Sequence, residues 1–266
     1  FIIPVFNMAD TLPEMLQALF QFRGAESEVI VVDDGSTDHV ERVIGEFEAR
    51  AERSKDLSLR NLRIPNRGRA GAINRGVGEA EGEFIAFADA DDVVDVEEFQ
   101  KMWNCCTLHK PDMAVGSFSI ESAGRVSPEV RTIQAGTTNL ELIRKLAYSP
   151  LAPIHLNAVL IRRELFLHLG GFDESLIRAQ DKDLTLRLLK ETGNIVICDA
   201  VPYIYRRHGS GVRERIGKRL EWLVYRQKVL RKHFGGVELV AAVSSQFIFD
   251  LLKLMVELFK LNQRDK

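Results

Sequence analysis

Cysteine occurs only three times in 266 residues, at Cys105, Cys106 and Cys198. The count is odd and lacks Cys-x-x-Cys spacing, so neither a disulfide framework nor a thiolate zinc centre is expected, and all three read as reduced thiols in core or helices. An excess of one charge is also missing. A formal net charge of -2 removes the general electrostatic ground for a nucleic-acid partner. No glycine follows the first apolar run, where Asn7-Met8-Ala9-Asp10-Thr11 stands, and neither GxGxxG nor GxxxxGK[ST] occurs, which disfavours dinucleotide oxidoreductases and P-loop NTPases. A GxSxG nucleophile elbow is absent as well. The most apolar stretch, 239–261, is broken by Asp250, Lys253, Glu257 and Lys260 and falls short of the roughly 20 apolar residues a bilayer span needs. No signal or transit segment opens the sequence, which starts inside an apolar run, Phe1-Ile2-Ile3-Pro4-Val5, so the natural N-terminus is expected upstream.

What remains is an ordinary globular composition, 45% hydrophobic and 28% charged, with enough chain for one large α/β domain and a helical appendage. Short β-rich runs at 1–5, 28–32, 59–64, 84–88 and 113–118 alternate with helical patterns at 12–22, 39–50, 70–79 and 96–109. That alternation predicts a mostly parallel sheet flanked by helices. Residues 120–149 carry little pattern. A strand at 156–161, a helix from Glu164, a helix near 183–191 and a strand at 195–198 follow, and then a helical tail. In the tail Ile248, Leu251, Leu252, Met255, Leu258 and Phe259 recur at helical spacing as one apolar stripe, expected to be core or a dimer seam.

Polar punctuation falls at the ends of successive strands, where open α/β sheets bind ligands. The strongest is Asp89-Ala90-Asp91-Asp92. In an extended segment Asp89 and Asp91 face one side together, and carboxylates so close need a cation or hydrogen-bond donors. Mg²⁺ or Mn²⁺ shared with phosphate oxygens is one solution; capping the following helix is the other use of such aspartates. Asp33-Asp34-Gly35-Ser36 can accept hydrogen bonds from a nucleoside or form a plain turn. Asn66-Arg67-Gly68-Arg69 offers cationic donors to a phosphate.

Together these ordered motifs resemble the family 2 glycosyltransferases of GT-A fold. Pro4-Val5-Phe6-Asn7 resembles the opening Pro-x-Tyr-Asn, with Phe6 for tyrosine. The Asp33-Asp34 turn resembles the nucleoside-binding turn, Asn66-Arg67-Gly68 and Ala72-x-Asn74-x-Gly76 the elements after it, and Asp89-Ala90-Asp91 the DxD motif. The resemblance runs from 1 to about 211 and implies a donor half (1–118), an acceptor half (119–211) and, outside it, a helical extension (212–266). It implies that Asp91, with Asp89, holds the donor's metal, with Asp92 a further candidate. It also implies that Asp181, in Gln180-Asp181-Lys182-Asp183 after Gly170-Gly171-Phe172-Asp173-Glu174, is the base. Gln180 stands where glutamate is commoner. His208, in a loop similar to one closing over the donor, is implied to complete the metal shell, with Arg206 near the leaving diphosphate.

The expected reaction is inverting transfer of a sugar, UDP-linked by resemblance, onto an acceptor hydroxyl. One base suffices because a metal-neutralised diphosphate leaves without protonation. No Gln-x-x-Arg-Trp motif of processive synthases is present, so one sugar is added per encounter, to a glycan or lipid-linked acceptor of surface polysaccharide or glycolipid. The expected location is the cytoplasm, with peripheral contact at the inner membrane face or a homodimer through the terminal helices. A nucleotidyltransferase and an inactive nucleotide-sugar binding module are the competing readings.

Overall fold

The computed structural model describes residues 1–122, 125–126, 133–149, 153–207 and 212–264. Strands β1 (Ile2–Val5), β2 (Ser27–Asp33) and β3 (Leu57–Arg63) pair in parallel, in spatial order β1-β2-β3. Helices α1 (Leu12–Leu19) and α2 (Val40–Ala51) connect them. The run Val29-Ile30-Val31-Val32 is fully buried, as a parallel strand covered on both faces requires. Its alternate residues serve two cores: Val29 and Val31 pack with Leu12, Leu16 and Ile44, while Ile30 and Val32 pack with Ile73 and Val77 of α3 (Gly68–Glu79).

The sheet continues past β1. The Ile2 amide donates to Ala86 O (2.9 Å) and the Ala88 amide to Ile2 O (3.1 Å), so the expected strand at 84–88 lies along β1, although only β4 (Phe84–Ile85) joins the next ladder. There the order is β10-β6-β9-β4, with β6 (Met113–Val115), β9 (Val159–Arg162) and β10 (Ile195–Ile197). β9 runs antiparallel to both neighbours. A third sheet, β5-β11-β7-β8, comprises β5 (Val93–Val94), β7 (Phe118–Ser122), β8 (Arg125–Val126) and β11 (Tyr203–Arg207). The expected strand 113–118 is thus two strands, because at Gly116 and Ser117 the chain leaves one ladder for the other, donating to Ala158 O and then Ala200 O.

Helix α4 (Val96–His109) matches expectation; α6 (Arg163–His168) and α7 (Gln180–Glu191) fall close to it. Helix α5 (Asn139–Tyr148) lies in the stretch read as patternless, yet its signal was present: Thr138 and Glu141 form a capping box. Cys105 and Cys198 are joined in a disulfide across 93 residues, Cα atoms 6.1 Å apart, which corrects the expectation of three reduced thiols. Spacing along the chain could not reveal that α4 ends beside the loop after β10. Only Cys106 is free, and burial pushes its thiol up to about 11.

Two expectations about the tail also change. It forms α8 (Val212–His233) and α9 (Gly236–Arg264), but the apolar stripe is not core: Ile248, Leu251, Leu252, Met255 and Phe259 are exposed. The buried seam of α9 is instead Ala242, Gln246 and Asp250, four apart and therefore on one face. Gln246 donates to the carbonyls of Leu146 and Ala147, and Asp250 receives Arg226 at 3.0 and 3.1 Å. These side-chain hydrogen bonds join a small apolar cluster, in which Leu239, Ala242 and Val243 pack with Ala147 and Leu230, to dock this helix. By length and composition the 21 residues Gly236–Val256 are also apolar enough to cross a membrane, at mean hydropathy 1.7, which corrects the reading that its charges forbid this.

Candidate active site

The loops after β1 and β2 are tied to each other. Asn7, at φ 55°, accepts the Thr37 amide on Oδ1 at 2.8 Å and donates its own amide to Ser36 Oγ at 3.0 Å. Asn tolerates this left-handed backbone where most residues do not. The knot holds Phe6 outward, its ring side 46% exposed, beside partly buried Pro4. Beneath lies Asp33, fully buried, accepting the Ser36 amide at 2.8 Å. Its second oxygen has no hydrogen bond, with Arg63 Nε 3.7 Å away. Asp34 accepts the Arg67 amide at 2.7 Å, fixing the loop that carries exposed Asn66 and opens α3. Thus Pro4, Phe6, Asn7, Asp33, Asp34, Asn66 and Arg67 do converge on one end of the sheet.

Arg67 is tied elsewhere, to Glu174 at 2.7 Å. Asn74, one turn and a half along α3, donates to Phe172 O (2.9 Å) and Glu174 (3.1 Å) and accepts the Phe172 amide (2.8 Å). A Cβ on Gly171, at φ 69°, would stand 2.4 Å from Asn74 Oδ1. These contacts bolt the Gly170–Glu174 loop, and so the start of α7, onto the donor half.

The acidic segment is a turn, with the Asp92 amide donating to Asp89 O at 3.0 Å, rather than the extended segment expected. Asp89 accepts two bonds from Arg69 (2.8 and 3.2 Å) and one from Asn157 (2.9 Å). Burial opposes ionisation of Asp89, but Arg69 outweighs it and holds the carboxyl below its usual range. Ala90 is buried. Asp92 is turned inward, 2% exposed, accepting from the Tyr203 hydroxyl and from the Arg206 amide. Burial pushes Asp92 up to about 7 despite those two bonds, with the charges of Asp89 and Asp91 adding to the rise. Both Asp92 oxygens are thus engaged by β11, through Tyr203 and the Arg206 amide. Asp91, the last carboxylate of the triplet, is partly exposed.

Arg69 also reaches Asp181 at 3.2 Å. Asp181 opens α7, its side chain 53% exposed, facing a cavity of about 380 Å³ that Asp89, His155 and Tyr205 also line. Gln180 borders the same cavity but donates its amide to Leu176 O. Arg206 is held by Glu14 at 2.7 Å through both terminal nitrogens and by Glu121 at 3.1 Å, so it braces β11 against α1 and does not stand free for a diphosphate. His208 lies outside the described residues. Among the described residues no three His, Cys, Asp or Glu side chains come together to hold a metal. Sequence reading missed Asn157, Tyr203 and His155, which join the acidic turn to β11; the aromatic run Tyr203-Ile204-Tyr205 was the available sign. Asp183 is structural, fully buried among Arg187, Lys232 and His233.

Residues 1–170 match the model of glycosyl transferase family 2. The uncharacterized glycosyltransferase EpsJ of Bacillus subtilis is 26% identical over 80% of this chain and 62% of its own length. The succinoglycan biosynthesis protein ExoO of Rhizobium meliloti is 27% identical over 79% and 61%. The chain therefore spans about three fifths of these relatives. Among solved structures, S. aureus TarS in complex with UDP-GlcNAc is similar at TM-score 0.67 and 20% identity, covering 92% of this chain and 70% of that one. A Pyrobaculum calidifontis mannosyltransferase with GDP-Man and Mn²⁺ is similar at TM-score 0.64 and 18% identity, covering 98% and 74%. The family match takes in more than half the chain, both knotted loops and the acidic turn, so this protein belongs to glycosyl transferase family 2, and its fold is that of the GT-A structures.

Proposed function

We propose that the chain moves one sugar from a nucleotide diphosphate donor, UDP-linked, to an acceptor hydroxyl with inversion at the anomeric carbon. The observation that carries this reading is Asp181, an exposed carboxylate aimed into the cavity and tied through Arg69 to the acidic turn. Residues 1–118 act as the donor half. Phe6 offers a flat ring to the base, and Asp33, Asp34, Asn7 and Asn66 shape its seat. Neighbours of the same fold bind UDP-GlcNAc and GDP-Man, which supports a nucleotide sugar.

Residues 119–211 act as the acceptor half. Asp181 takes the proton from the attacking hydroxyl, a contribution of ~10²–10⁴ in rate, and Arg69 positions it. Asp91 fits a hard divalent ion, because Mn²⁺ or Mg²⁺ takes one or two carboxylates and fills its shell with phosphate oxygens. Bound there with His208, the ion would neutralise charge on the leaving diphosphate. Asp89, held by Arg69 and Asn157, supports the turn and keeps acceptor capacity on Oδ1 for the same ion.

The acceptor is a glycan or lipid-linked sugar of surface polysaccharide or glycolipid, in keeping with a relative named for succinoglycan biosynthesis. Work takes place on the cytoplasmic side, with the exposed apolar face of α9 resting on the membrane. The test is nucleoside diphosphate release from a panel of nucleotide sugars, with and without Mn²⁺. Metal-dependent release from one donor, lost in Asp91→Ala and Asp181→Asn, is expected. Failure of every donor to bind would sink the reading in favour of an inactive module.

A further inference from the structure

The cavity beside Asp181 has two unlike walls. One is the reacting side, Arg69, Asp89 and Asp181; the other comes from the helical tail, Trp222 and Arg226 of α8. Most of its charges are answered within the protein. Arg69 pairs with Asp89 and Asp181, Arg178 with Glu221 at 3.1 Å, and Arg226 with Asp250 at 3.0 Å. Lys182 is the exception. It follows Asp181 on the first turn of α7, lines the cavity and makes no hydrogen bond or ion pair with a described residue.

Burial and the neighbouring Arg226 charge bring the Lys182 ammonium down to about 7, with Asp250 offsetting only part of that. Two cations, Lys182 and Arg226, therefore line one cavity, and the nearby Asp250 carboxylate already serves the second of them. An oxyanion would relieve that repulsion and accept charge-assisted hydrogen bonds from both. Flat surfaces border the same space. Arg226 lies over the Trp222 ring at 5.3 Å, and Tyr205 packs against His155 with ring centroids 5.7 Å apart. Aromatic faces of this kind suit the apolar side of a sugar ring.

We propose that the acceptor entering this cavity carries an oxyanion, a phosphate or a carboxylate, near the hydroxyl that is glycosylated, and that Lys182 and Arg226 bind it. The proposal rests on Asp181 being the base, which fixes where the acceptor lies. α9 takes part indirectly, since Asp250 orients Arg226.

Ligand-observed NMR on the full chain tests it with inorganic phosphate, methyl glucuronide and neutral methyl glucoside as probes. Phosphate or methyl glucuronide is expected to bind at least ~10-fold more tightly than methyl glucoside, and whichever does so identifies the anion. Lys182→Met should lower that affinity ~10–100-fold, in line with loss of a charged hydrogen bond, while Lys182→Arg restores the preference. Equal binding of neutral and anionic sugars overturns the proposal. So does an anion preference unchanged in Lys182→Met, which would locate the anion elsewhere. Nucleotide-sugar binding by the native sample is read separately. A chain that binds nucleotide but shows no anion preference refutes only the acceptor, whereas one that binds no nucleotide refutes the transferase reading.

Discussion

Arg69 grips Asp89 through two of its nitrogens, at 2.8 and 3.2 Å, and with a third reaches Asp181 at 3.2 Å. One guanidinium thus fixes the spacing between the acidic turn and the carboxylate across the cleft. Lysine, a single point charge without the fork, cannot hold both.

Arg69→Met should leave Asp89, only a quarter exposed, without its main partner. A loss of about 1–3 kcal/mol in unfolding free energy is expected, together with a fall in turnover of at least ~10²-fold. Arg69→Lys should recover much of the stability and little of the turnover. Denaturant unfolding and nucleoside diphosphate release measure the two; equal recovery of both would show that the spacing is unimportant.

Asp181→Asn should separate activity from stability. The side chain is more than half exposed and, among the described residues, is paired with Arg69, so the unfolding free energy should move by less than about 0.5 kcal/mol. Sugar transfer should fall ~10²–10⁴-fold. Retained transfer in this variant would remove Asp181 from the base position.

Much of this arrangement was legible beforehand, for identifiable reasons. Buried parallel strands need continuous apolar runs, so Val29–Val32 announced itself, and polar residues at strand ends marked the site. The Asp89–Asp92 turn was misread because an extended chain and a tight turn share the same four letters; Asp92 N–H bonding back to Asp89 O decides the matter. How these carboxylates are held was beyond sequence, since the partners of Asp89 and Asp92 come from residues 69, 157, 203 and 206. The tail misled for a similar reason. Asp250 is one of the charges that break the apolar stretch, yet it is buried against Arg226 while the apolar residues beside it face out.

Gly171→Ala should disturb the site from a distance. The added methyl would meet Asn74 Oδ1 at 2.4 Å, at a backbone φ of 69° that alanine resists. About 1–3 kcal/mol of destabilisation is expected, and the Asp181 loop, freed from Asn74, should exchange its amides faster. Unchanged hydrogen exchange at Phe172 and Glu174 would contradict the bolting role of Asn74.

Asp183→Asn should be among the costliest single changes. Burial works against its charge, but hydrogen bonds from His233 and Lys232 and the Arg187 charge hold the carboxyl well below its usual range. Removing one partner from a buried ionic cluster costs about 3–5 kcal/mol. Because the folded value is depressed, the stabilisation is complete above the unfolded value of about 4 and disappears as pH falls through the folded one. The native chain's advantage over Asp183→Asn should therefore be full at pH 6 and shrink below about pH 4. A gap that stays constant into acid would mean the variant loses packing and not charge.

The two walls of the reaction cavity have different histories open to them. Residues 1–170, which match the family model, contain Arg69 and Asp89, while Asp181 lies beyond it together with Arg178, Lys182, Trp222 and Arg226. Replacing a few side chains on α7 and α8 could redirect such an enzyme to a new acceptor while its donor chemistry stayed intact. The faces of α7 and α8 are then the interchangeable part of the tool, and the sheet its handle.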